Sequence, residues 1–348
     1  MFDLQRLVRK TIRNLEPYSS ARSEFAGIAE VYLDANENAF GSPAGDDLNR
    51  YPDPMQMSLK ERVADGTGLS PSQIFVGNGS DEAIDLLFRV FCEPGREQAI
   101  ICPPTYGMYK VSAEINDIDV LEIRLTSDFH LDVPAVLSGI DENTKLIFLC
   151  SPNNPTGNLM RRKSVIEIAE RFKGVVVVDE AYIHYAAEPS LKAELEGLPN
   201  LVVLQTFSKA WGMAGARVGL AYSSVSIIAW MNRIKPPYNV SSLAQTAVLK
   251  AFNNHAQIEE WTQLIVSERA RLSEALARLK VVETVYPSDA NFLLIKVADA
   301  EAVYRSLLEE KIVVRNRNNV ELCNGCLRVT IGTQVENERL LSSLQRKR

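Results

Sequence analysis

The chain has 348 residues, 46% of them hydrophobic, with 44 acidic against 38 basic side chains and a net charge of −6. This length supplies a large core and suggests one large domain plus a smaller one. The acidic balance argues against a phosphate-tracking nucleic-acid surface, and the apolar runs are too short to span a bilayer. Five cysteines make no disulfide framework in so long a chain, so free thiols in the reducing cytoplasm are expected.

Residues 1–16 put Leu4, Leu7, Val8, Ile12 and Leu15 on one helical face among Arg6, Arg9, Lys10 and Arg13. Asp3 sits among these bases, and neither an apolar stretch nor a small-residue cleavage site follows. The spacing therefore predicts a helix docked on the body rather than a targeting peptide. Buried strands are expected at Gln73–Val76, Ala99–Cys102, Lys145–Leu149, Val175–Val178, Leu201–Leu204 and Val218–Ala221, each rich in apolar residues. Ala83–Phe91 and Ser164–Phe172 carry helical periodicity between them, the first ended by Pro94-Gly95. From Ala256 to Leu279 the pattern becomes one long charged helix. Shorter strands at Asn291–Val297, Ile312–Arg315 and Cys326–Ile331 follow, with a helix at Ala300–Glu310 between the first two. The whole reads as α/β, a mostly parallel sheet sandwiched by helices plus a smaller α+β unit, with a boundary near residue 255.

Four segments carry chemistry. Ile74 to Glu82 reads as strand, Gly77-Asn78-Gly79 turn, then helix start. There the free N–H groups suit an anion, although Ser80 and Asp81 serve equally as capping residues. Ser151 to Gly157 (Ser-Pro-Asn-Asn-Pro-Thr-Gly) makes a rigid loop at a strand's C-terminal end, where α/β sheets collect binding residues. Asp179 tips the apolar strand Val175–Val178. A carboxylate there needs a cation, a metal or a protonated ring nitrogen, and with three histidines in the chain no ligand cluster accompanies it. Cys323-x-x-Cys326 lacks the second pair a zinc site needs, so no metal is expected. Last, Thr206 to Gly219 crowds hydroxyls, Lys209, small residues and Arg217 at another strand end. A lysine there is either a solvated charge or an amine nucleophile, and a Ser-Lys hydrolase would leave Asp179, Asn154 and Arg217 unexplained.

In this order and spacing, Asn154-Pro155-Thr156-Gly157, Asp179-x-x-Tyr182 and Ser208-Lys209 with Arg217 resemble the fold-type I pyridoxal-phosphate (PLP) dependent aminotransferases of classes I and II. The resemblance covers nearly the whole chain. Leu15-Glu16-Pro17-Tyr18, Asn36-Glu37-Asn38, Arg50-Tyr51-Pro52-Asp53, Cys102 to Tyr109 and Gly325 to Thr333 are similar to the histidinol-phosphate aminotransferase family within that class. Ala39, Met213 and Ala216 depart from its pattern in packing positions.

The resemblance implies the following roles. Lys209 carries PLP as a Schiff base and moves the proton, Asp179 keeps the pyridine nitrogen protonated, and Tyr182 and Asn154 bond the ring oxygen. Tyr106 stacks on the ring. Gly79, Ser80, Thr206, Ser208 and Arg217 hold the phosphate, and Asp81 is either a ligand or a cap. Arg328 fixes the substrate's anionic arm with Arg315 assisting, unless Arg317 takes its place; Tyr18, Asn36 and Asn154 line the same pocket. Tyr51 reaches the neighbouring subunit's cofactor in a homodimer. The implied domains are residues 30–255, binding PLP, and residues 1–29 with 256–348. The implied reaction exchanges an amino group between histidinol phosphate and 2-oxoglutarate, with glutamate as product, in histidine biosynthesis. An aromatic or other phospho-amino-acid aminotransferase, or a lyase or decarboxylase of the same fold, is the nearest alternative. A ligand-binding regulator would need a DNA-binding module for which no residues are left over.

Overall fold

The computed structural model describes residues 2–16, 31–45 and 48–346; Tyr18 lies outside them. Short, largely continuous apolar runs make seven strands that form one sheet: β1 (Ile74–Gly77), β2 (Gln98–Ile101), β3 (Asp119–Glu122), β4 (Thr144–Cys150), β5 (Val175–Asp179), β6 (Leu201–Thr206) and β7 (Gly219–Ser223). Their order is β1-β7-β6-β5-β4-β2-β3, and only β7 runs against its neighbours. β1, β4, β5 and β6 thus present their C-terminal ends at one edge of the sheet.

Both faces of the sheet are apolar, as strands covered by helices require. Ile147, Val176, Val178 and Val203 face one core with the helices Met57–Ala64 and Arg162–Arg171. Phe148, Val175, Val177 and Val202 face another with the helices Ser80–Phe91 and Val225–Ile234. After the long helix His255–Ala277 the chain builds a second, antiparallel sheet. Its order is β10-β11-β9-β8, from β8 (Val282–Val285), β9 (Phe292–Val297), β10 (Arg315–Asn316) and β11 (Cys326–Thr330). Leu327 and Val329 point into its own core against the helices Ala300–Glu309 and Gln334–Gln345. Arg328, on the alternate face of β11, points the other way, toward the large sheet's edge.

Three expectations are corrected. The N-terminal helix is two short pieces, Leu4–Leu7 and Lys10–Arg13, because Val8 turns extended to bury its side chain while Arg9 N donates to Val90 O. Residues 2–16 therefore pack on the larger unit, not with residues 256–348. The strand expected at Ile312–Arg315 shrinks to Arg315–Asn316. Lys311 takes a left-handed turn and Ile312 N donates to Leu307 O, so residues 311–314 only leave the preceding helix.

Candidate active site

The four chemical segments meet at the shared strand edge, around a cleft lined by Gly79, Ser80, Asp81, Tyr106, Asn154, Asp179, Tyr182, Thr206, Ser208, Lys209 and Arg217. Its anion end is built by close backbone approach. β1 pairs antiparallel with β7, Gly77 opposite Gly219, which brings the start of β7 against the first turn of the helix Ser80–Phe91. A Cβ on Gly219 would lie 2.1 Å from Ser80 N, and one on Gly79 (φ +82°) would lie 2.7 Å from Arg217 Nη2. The helix start has no side-chain cap, so its N–H groups remain available beside Arg217, Thr206 and Ser208. Asp81 does not cap the helix. Its carboxylate accepts from Tyr106 OH at 3.1 Å and faces Arg217 Nη2 at 3.5 Å. Ser208 N donates to Thr206 Oγ1 at 3.1 Å, which fixes the turn leading to Lys209.

At the opposite end Asp179 is 3% exposed. Tyr109 OH donates to its Oδ2 at 2.9 Å and Ala181 N to its Oδ1 at 3.1 Å. Burial raises its pKa to about 6, with the Tyr109 bond opposing, so the carboxylate is ionised at neutral pH but short of a counter-charge. Between the ends, Asn154 Nδ2 donates to Tyr182 OH at 3.4 Å. Lys209 Nζ lies 5.5 Å from the Tyr182 ring centre. Burial, then the Arg328 charge, lower the Lys209 pKa, which enlarges the fraction of free amine.

Arg328 arrives from β11. It donates to Asn154 Oδ1 and lies 5.2 Å over the Phe292 ring. Arg315 is its register partner across β10, and Arg317 follows on the same face, half-buried. Burial and these two arginines bring Arg317 down to about 10, and its Nε has no partner among the described residues. Asn36 and Tyr51 line a separate, neighbouring cavity, where Tyr51 stacks on Tyr238 at 4.4 Å.

Sequence reasoning missed Tyr109 as a site residue. Its place three residues after Tyr106 sets it on the next turn, forming an edge contact with that ring while its hydroxyl reaches Asp179. Ala181, a small wall of the cleft, gave no signal of its own. Cys323 and Cys326 are free and buried in the core.

The arrangement fits PLP. A cradle that excludes any Cβ could hold its phosphate, and an ionised, buried Asp179 could meet its ring nitrogen. Tyr182 and Asn154 could bond its phenolic oxygen, and Lys209 could reach its carbonyl carbon.

A family model described as aminotransferase class I and II matches residues 24–344. The histidinol-phosphate aminotransferase of Parabacteroides distasonis is 52% identical over 345 residues, which are 99% of each chain. The crystal structure of the histidinol-phosphate aminotransferase from Clostridium acetobutylicum matches with a TM-score of 0.79 at 27% identity, over 86% of this chain and 90% of that one. The enzyme of that name from Sinorhizobium meliloti, in complex with pyridoxal-5′-phosphate, gives 0.79 at 25% identity over 89% and 88%. On this coverage and this fold, the chain belongs to the class I and II aminotransferases, PLP-dependent enzymes, and within them to the histidinol-phosphate aminotransferase family.

Proposed function

We propose that the chain moves the amino group of L-histidinol phosphate to 2-oxoglutarate, giving imidazole acetol phosphate and L-glutamate, a step of histidine biosynthesis. The observation that carries this reading is the arginine face above the cleft. Arg328, Arg315 and Arg317 converge on one side of the small sheet, and none forms an ion pair with a described residue. Histidinol phosphate has no α-carboxylate, so one pocket must take either glutamate's carboxylate or a phosphate. Arg328 offers a planar fork to both, and the added charges favour the dianion.

PLP, when bound, supplies an electron sink for negative charge at the substrate's amine-bearing carbon. Lys209 would hold the cofactor, and its Nζ, freed when the substrate's amine displaces it, would take the proton from that carbon and deliver it to the cofactor's carbonyl carbon. Asp179, ionised and oriented by Tyr109, holds the proton on the ring nitrogen. Tyr182 and Asn154 would donate to the ring oxygen, Tyr106 would cover the ring, and Gly79, Ser80, Thr206, Ser208 and Arg217 would hold the phosphate. Asp81 acts through Arg217 and Tyr106 rather than on the cofactor.

We further propose that residues 30–255 form the cofactor domain and 256–348 the smaller one, and that the enzyme works as a cytoplasmic homodimer. Val31, Leu33 and Phe40, on the segment that carries Asn36, are 71%, 89% and 101% exposed, apolar side chains that a second copy would cover.

Single-turnover spectra with histidinol phosphate, histidinol, glutamate and phenylalanine test the reading. Histidinol phosphate is expected to outrun histidinol by at least a hundredfold in kcat/KM, since the anion's charge-assisted bonds are worth roughly 3 kcal/mol or more. Arg328→Lys should damage both physiological half-reactions, and Arg315→Ala and Arg317→Ala should hurt the phosphate substrate at least as much as glutamate. Phenylalanine reacting faster than histidinol phosphate would make the enzyme an aromatic aminotransferase.

A further inference from the structure

A second cavity, of about 300 Å³, lies behind the turn that carries Lys209. It is enclosed by the end of the helix Met57–Ala64, the turns around His184 and Lys192, strands β6 and β7, and the helix end at Phe252. Thr206 borders both this cavity and the cleft.

Its walls combine aromatic rings with two cationic side chains, Lys192 and Arg62. Phe207 and Trp211 meet edge to face at 4.9 Å, and Trp211 meets Phe252 at 4.7 Å. Lys192 Nζ lies 4.6 Å over the Tyr222 ring and donates to Gln205 Oε1 at 3.4 Å. Glu180, whose charge acts on Lys192 from outside the cavity lining, accepts from Leu191 N at 2.7 Å, from Ser190 Oγ at 2.5 Å and from Gln205 Nε2 at 2.9 Å, and makes no direct ion pair with it among the described residues. Gln205 is thereby oriented with its carbonyl toward Lys192, and the ammonium keeps donors to spare. Arg62 stands 5.2 Å from the Phe252 ring and only distantly, at 3.9 Å, from Asp65. His184, exposed on the cavity wall, is driven down to about 4 by desolvation and by Lys192 and His255, so it stays neutral. Among the described lining residues there is no carboxylate.

Aromatic slabs beside two cations, in a lining without a carboxylate, select a flat ring that bears an anion. We propose that this cavity is a binding site for a small aromatic carboxylate, distinct from the substrate pocket and sharing the wall Thr206-Phe207 with the Lys209 turn.

Calorimetric titration of the PLP-loaded enzyme with indole-3-acetate tests it. Binding should weaken at least tenfold in Lys192→Gln and in Arg62→Gln, and for the neutral analogue indole-3-acetamide on wild type. It should persist unchanged in Arg328→Gln, which removes the substrate-pocket cation. Gly66→Phe gives a second, independent variant: a side chain there enters open space on the cavity rim, with no positive φ to strain, and should block the probe. No binding to wild type at millimolar probe would overturn the proposal. So would binding that Arg328→Gln abolishes while Lys192→Gln, Arg62→Gln and Gly66→Phe leave it intact.

Discussion

Asp179 is the residue on which the chemistry of the cleft turns, and its environment has a consequence for stability. Burial raises its pKa from 3.8 to about 6. The folded chain therefore binds this proton more tightly than the unfolded one, and stability is lost as pH rises from about 4 to about 6. Two pKa units correspond to about 3 kcal/mol. Asp179→Asn lacks this titration. In urea unfolding of cofactor-free protein, the variant should gain about 3 kcal/mol on wild type between pH 4 and pH 7. On the proposed reading, bound PLP would set a counter-charge beside Asp179, and the ordering at pH 7 should reverse. Parallel pH curves for the two cofactor-free proteins would remove the desolvation argument. Much of this residue's role was legible, because a carboxylate ending the run Val175–Val178 demands a partner. Tyr109 was not. Nothing in a helical tyrosine's spacing tells whether its hydroxyl meets water or a carboxylate 70 positions away.

At the scale of elements, the anion cradle depends on β7 lying against a helix start, and Gly219 is where they touch. Adding a methyl 2.1 Å from Ser80 N forces backbone to move, since no flexible side chain can give way. Gly219→Ala should lose on the order of 2–3 kcal/mol of stability and weaken PLP binding at least tenfold. Gly197→Ala, whose Cβ would meet Glu194 O at 3.8 Å, should stay within about 0.5 kcal/mol of wild type. Thermal melts and cofactor titrations of the pair separate crowding from a general glycine effect. The sequence predicted the buried central strands to within one or two residues, because their apolar runs are continuous. It missed β3 and β8, where Asp119, Glu122, Glu283 and Thr284 break the apolar run. β10 is two residues long, and its place comes from pairing Arg315 with Arg328, which is tertiary information.

For the whole molecule, the small sheet brings Arg328 over one side of the cleft, and the cavity of Asn36 and Tyr51 is a separate neighbour. The proposed dimer puts Tyr51 at the partner's cofactor. Tyr51→Ala and Lys209→Ala should each be severely impaired alone, and subunit exchange should restore activity at one site per heterodimer, roughly a quarter of the wild-type rate in an equal mixture. Verified heterodimers without recovery would keep Tyr51 out of the partner's site. The order of the four segments along the chain was enough to gather them at one edge of the sheet, since β1, β4, β5 and β6 all end there. The packing of residues 2–16 on the large unit was not readable. An amphipathic face tells that a helix docks, and its partner surface depends on where Val90 and Leu15 find their hydrogen bonds.

The account rests on one covalent assignment, and borohydride reduction reads it directly. The PLP-loaded enzyme should be fixed by borohydride at one site, and proteolysis with mass spectrometry should find the pyridoxyl mass on a single peptide containing Lys209. Lys209→Ala should bind PLP through Asp179 and the phosphate cradle, yet take up no label and lose turnover by several orders of magnitude. Label on any other lysine, or turnover surviving in Lys209→Ala, would contradict the site described above.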